Sequence, residues 1–113
     1  MQYWILHIVG ELDLATGPHL SARTDRLLRA GPSHGLVMDV HDVTFIDCAG
    51  LGSIIRAHNQ LGGDRFRLQR LSPCVRKLLH WTNLEAVLPE CDGDAWPGGV
   101  GIPIHHHLQR ASF

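Results

Sequence analysis

Phe45-Ile46-Asp47-Cys48-Ala49-Gly50-Leu51-Gly52 is the stretch on which the fold turns. It opens as the end of an apolar run, Val43-Thr44-Phe45-Ile46. Beyond Asp47 the residues Leu51, Ile54, Ile55, His58 and Leu61 recur at helical spacing. The stretch is therefore a point where a strand hands over to a helix. An aspartate there can accept bonds from the first free N–H groups of the helix, and the positive end of the helix dipole favours its charge. Gly50 and Gly52 keep the first turn bare, so that another protein can approach the backbone. Gly62-Gly63 ends the helix.

Working outward, Tyr3 to Val9 is a short run of aromatic and β-branched residues that reads as a buried strand ending at Gly10. A helix follows, with Thr16 as N-cap, Pro18 in its first turn, and Leu20, Thr24, Leu27 and Leu28 on one face. Gly31-Pro32 stops it. Leu36 to Val40 is a second strand, and Val43 to Ile46 a short extension. Arg65 to Leu71 alternates polar with apolar, the period of a strand with one wet face. Ser72-Pro73 opens a third helix with Val75, Leu78, Leu79 and Thr82 on one face. Leu84 to Leu88 is expected as a last strand. The alternation predicts an α/β domain, a mostly parallel, mixed sheet covered by helices. From about Glu90 the composition shifts to Gly, Pro and His. Residues 1–89 are thus read as the domain and 90–113 as a tail.

The 113 residues fit one domain, and 44% apolar with 19% charged residues is an ordinary globular composition. A net charge of −1 gives no basic face, so nucleic acid is not an expected partner. Three cysteines, Cys48, Cys74 and Cys91, form no C-x-x-C pair and point to a reducing compartment, the cytoplasm. Met1 to Val9 is too short to insert into a bilayer and lacks a basic flank. Motifs of nucleotide hydrolysis, serine hydrolysis and zinc proteolysis are missing. Asp13, Asp39, Asp42 and Asp47 could still gather near strand ends as a phosphoryl-transfer site, but binding without catalysis is the expectation. Cys48 is read as a small residue that fits the turn. Adjacent histidines do not converge on one centre in regular structure, so His105-His106-His107 reads as a polar tail, with no metal or cofactor expected.

Two blocks resemble the STAS domain family, in particular bacterial anti-sigma factor antagonists. Gly10-Glu11-Leu12-Asp13-Leu14-Ala15-Thr16 is similar to the family's G-E-L-D-x-x-T approach to its first helix. Val43 to Gly52 is similar to its V-x-F-[IM]-D-S-[ST]-G-L signature. The resemblance spans roughly residues 3–88. It implies binding to an anti-sigma factor, a serine kinase of the histidine-kinase-like ATPase fold, with release of a sigma factor and so transcription regulation, often in a stress response. In the family a Ser or Thr just before Gly-Leu is phosphorylated to break the complex. Here that position is Ala49, and the preceding one is Cys48, so the docking surface is implied without the usual switch. Ser53 is the nearest hydroxyl. The implied partner-binding residues are Asp13, Asp47, Cys48, Ala49, Gly50, Gly52, Ser53, Arg56 and Ala57, with Leu51, Ile54 and Ile55 in the core. The run Asp47-Cys48-Ala49-Gly50-Leu51 also resembles STAS subunits that dock on the ATPase of lipid-transport ABC systems, the alternative function.

The family commonly begins with a strand antiparallel to the one ending in G-E-L-D, and here that first strand is short or missing. Tyr3 to Val9 would then be an exposed apolar edge. Three remedies are open: a homodimer through this strand, cover by Val100 to Ile104 of the tail, with Pro103 limiting the pairing, or a start further upstream.

Overall fold

The opening apolar run forms β1 (Tyr3–Leu12), three residues longer than the Tyr3 to Val9 that its sequence suggests. Gly10, at φ 106°, carries the strand through a register irregularity that a side chain would resist. The computed structural model describes residues 3–62, 65–88, 90–91 and 101–108, the last two as backbone. After β1 come α1 (Gly17–Ala30), β2 (Gly35–Ile46), α2 (Cys48–Leu61), β3 (Phe66–Gln69), α3 (Pro73–Trp81), β4 (Glu90–Cys91) and β5 (Gly101–Leu108). The strands lie in the order β4-β3-β2-β1-β5, and every pairing among them is parallel. The expected α/β architecture is present, and among the described residues the sheet is parallel throughout.

One face of the sheet carries Leu6 and Ile8 of β1, Leu36, Met38 and Val40 of β2, and Phe66 and Leu68 of β3, all buried. Leu20 and Leu27 of α1, Ile54, Ala57 and Leu61 of α2, and Val75 and Leu79 of α3 pack into the same cluster. Burying each such Leu or Ile contributes about 1.5–3 kcal/mol, so this layer is the main stabilising force.

Asp39, on β2, is 2% exposed and would be costly there unpaired. It accepts bonds from the His41 N–H, Gln69 Nε2 and, at 2.8 Å, Arg70 Nε. Arg70 reaches it from the left-handed region, at φ 51°. The hydrogen bond, and then the charge, of Asp39 raise the pKa of this guanidinium above its ordinary value.

The structure corrects several local expectations. Thr16 is the N-cap residue of α1, and Ser72 that of α3, but neither side chain makes a cap hydrogen bond. Leu84 to Leu88 is not a strand. Asn83, at φ 59°, ends α3 in a left-handed turn, with Leu84 N–H bonded to Leu79 C=O and Asn83 N–H to His80 C=O. Leu88 N–H then returns to Leu84 C=O, so the chain coils where it was expected to extend. The short strand comes just after, at β4. Residues 101–108, assigned to the tail, form β5 along the outer edge of β1, from Tyr3 beside Gly101 to Gly10 beside Leu108. Pro103 does not cut this pairing short, because an edge strand needs donors on one side alone. β1 thus has a neighbour on each side, and a homodimer through it would require β5 to give way. The proposed start of that cover, Val100, lies outside the described residues.

Candidate functional site

Two loops meet at the carboxyl ends of β1 and β2. In the first, Asp13 follows β1 and is 2% exposed. Its Oδ1 accepts bonds from the N–H groups of Ala15 and Thr16 at 2.9 and 3.0 Å. The Thr16 hydroxyl accepts from the Asp13 N–H and donates to the Glu11 carbonyl at 2.7 Å. The Asp and Thr of the Glu11-Leu12-Asp13-Leu14-Ala15-Thr16 run therefore tie a closed knot. Between them Leu14 is pushed out, 77% exposed. Asp13, expected to meet a partner, is a buried structural group.

In the second loop Asp47 follows β2 in extended conformation and caps α2, its Oδ1 accepting from the Gly50 N–H at 2.8 Å. Its own N–H donates to Leu12 C=O, which stitches the two loops together. Gly50 is buried, and a β-carbon there would lie 2.1 Å from that same Leu12 oxygen. Its bareness serves the close approach of β1, not of a partner. Gly52 is the opposite case, exposed and with open space where a β-carbon would stand.

Cys48, Ala49, Gly52 and Arg56 are exposed and lie along the outer side of α2. Arg56 contacts Asp25 of α1 at 3.4 Å, and Gln60 bonds the same carboxylate. Ser53 is half-buried and turns toward α1, where Gly17 makes room for its Oγ. Ala57, expected on the docking side, is 2% exposed and belongs to the core. Its spacing of three from Ile54 and four from Leu61 is the signal that places it there. Leu51 and Ile54 are buried and Ile55 partly so, as expected.

The structure adds apolar surface beyond the expected partner-binding residues. Phe45 is 44% and Trp81 73% exposed. With Ile46, Cys74, Lys77 and Leu78 they line an open groove between the end of β2 and α3. Lys77 Nζ sits 4.9 Å over the Trp81 ring, and Cys74 Sγ donates to the Val43 carbonyl. The legible hint was Trp81 itself, a large aromatic off the apolar face of its helix. The four aspartates do not gather into one centre. Asp13 and Asp47 each cap a turn, Asp39 is bound by Arg70, and Asp42 is exposed. Among the described residues no set of three His, Cys, Asp or Glu is placed to hold a metal, and no helix is long and apolar enough to cross a membrane.

A family model described as STAS domain matches residues 2–95. Among solved structures, the unphosphorylated form of the anti-sigma factor antagonist SpoIIAA superposes with a TM-score of 0.52 and 21% sequence identity, over 80% of this chain and 78% of that one. That likeness is one of fold.

Proposed function

The chain belongs to the STAS domain family, and on that premise we propose that it is an anti-sigma factor antagonist. It binds an anti-sigma factor, without catalysis, and so frees a sigma factor for transcription in a bacterial cytoplasm. The likeness to SpoIIAA supports this reading. The observation that carries it is the first turn of α2: Cys48, Ala49 and Gly52 stand exposed on a turn that Asp47 caps. A partner reaching that turn meets the positive end of a helix, which favours an acceptor or a carboxylate. Leu14 and Phe45 flank it with apolar area that a partner would cover.

We take the partner to be a serine kinase of the histidine-kinase-like ATPase fold. A phosphate on this turn would add about −1.5 to −2 charges to the contact. Ala49 has no hydroxyl to receive it, and Ser53 faces α1 rather than solvent. The complex should therefore persist in the presence of ATP. Incubation with the cognate kinase and ATP is expected to leave residues 47–53 unmodified by mass spectrometry. Ala49→Ser should gain a phosphate and lose the complex. Phosphate on the natural sequence there would overturn the absent switch. Affinity capture from the source cell tests the class of partner. Recovery of a sigma-factor kinase supports the antagonist, whereas recovery of a transporter ATPase moves the assignment to the lipid-transport reading that Asp47-Cys48-Ala49-Gly50-Leu51 also fits.

A further inference from the structure

We propose that the groove between the end of β2 and α3 is a second part of the docking surface, and that it takes an apolar side chain of the partner together with a neighbouring carboxylate. The inference rests on the antagonist reading for who the partner is, but the chemistry it asks for comes from the groove. The walls are Phe45, Ile46, Cys74, Lys77, Leu78 and Trp81, so a single cation stands among apolar and sulfur side chains. Trp81 is 73% and Phe45 44% exposed, which leaves two aromatic rings largely in water. Single exposed apolar residues are ordinary, whereas aromatic rings gathered on one concave patch are the composition of a protein contact. The volume, about 230 Å³, falls below the roughly 300–1,000 Å³ of pockets that enclose a free small molecule. It suits a side chain or two carried in by another chain.

Charge decides the kind of partner. Lys77 Nζ lies 4.9 Å over the Trp81 ring, and among the described residues no carboxylate pairs with it. α3 itself carries Arg76 and Lys77 and no acid. The acids on neighbouring segments are engaged elsewhere: Asp47 accepts from the Gly50 N–H, and Glu85 meets His80 at 2.9 Å. An arriving carboxylate thus finds an uncompensated ammonium group. An apolar side chain laid beside it excludes water, which strengthens both the new ion pair and the cation over the ring. The groove is in place beforehand, because Cys74 Sγ donates to the Val43 carbonyl at 3.3 Å and so fastens α3 to β2. Phe45 and Ile46 lead directly into Asp47, so the groove adjoins the exposed turn of α2. The positive end of α2 favours the same sign of partner.

The test is a titration of the isotope-labelled full chain with two synthetic peptides, followed by its amide resonances. Acetyl-Asp-Leu-Phe-Asp-amide should shift Phe45, Ile46, Lys77 and Leu78, and acetyl-Lys-Leu-Phe-Lys-amide should bind about threefold more weakly or worse. Lys77→Glu should reverse that order, and Trp81→Ala should weaken both peptides. Both side chains are exposed, and a thermal melt checks that the variants fold. Peptides that bind equally, that shift other resonances or that shift none overturn the groove. So does a shift of the same resonances on dilution without peptide, which would place a second copy of the chain there. Against a captured sigma-factor kinase, Trp81→Ala should raise Kd by about tenfold or more. Affinity that falls with Gly52→Trp but not with Trp81→Ala refutes the groove and leaves the antagonist reading standing. Acid-selective peptide binding with no such kinase recovered sinks that reading and keeps the groove.

Discussion

The turns after β1 and after β2 each place an aspartate three residues before a residue that it helps to fix, yet they do opposite work. Around Asp13 the polar groups close on one another: two N–H groups and the Thr16 hydroxyl share the carboxylate and its surroundings, and Asp13 and Thr16 are buried. At Asp47 the carboxylate accepts from the Gly50 N–H, and Cys48, Ala49 and Gly52 are left in the open. A carboxylate at the start of a helix is thus no mark of function by itself. What separates a fastening from a contact surface is the exposure of the residues around it.

Four substitutions break or sharpen that contrast, each read by urea denaturation of the purified protein. Gly50→Ala should be the most damaging, by about 3 kcal/mol or more, because its new β-carbon meets the rigid backbone of β1 rather than a mobile side chain. Asp13→Ala should follow, at about 2–3 kcal/mol, since it strands the buried N–H of Thr16 and that of Ala15. Asp47→Ala should cost about 1 kcal/mol, the usual worth of a helix cap. If the two aspartate variants were equally unstable, the distinction between fastening and contact surface would fail. Gly52→Ala should have the smallest effect and the opposite sign, a gain of roughly 0.5–1 kcal/mol from a better helix former in open space. Partner affinity should rank differently. Asp47→Ala and a bulky Gly52→Trp weaken the complex, and Gly52→Trp does so without loss of stability.

The sequence revealed the alternation of strands and helices because Tyr3 to Val9, Leu36 to Val40 and the faces of α1 and α2 carry strong periodic signals. It located the Asp47 turn for the same reason. It misread Leu84 to Leu88 because a five-residue run with four apolar members is too short to show a period of its own, and Asn83 had already committed the backbone to a turn. It saw β5 only in part, as one of three ways to cover the β1 edge and no further than Ile104, because Pro103 and three histidines suppress the strand signal, while the pairing that makes them a strand lies about a hundred residues away. Asp13 and Gly50 were assigned to a partner because linear sequence cannot tell a residue that faces β1 from one that faces water. The Thr16 hydroxyl, which bonds back to Glu11, carries the same lesson.

The place of β5 also bears on how the molecule comes into being. Its pairing partner β1 leaves the ribosome before it, and at roughly 5–20 residues per second β5 follows several seconds later. During that interval β2 can already pair with the inner side of β1, but the outer backbone groups of β1 stay open to any other extended chain. Nascent protein should therefore depend on chaperones until β5 is made, and truncation before residue 101 should yield aggregates rather than a weaker fold.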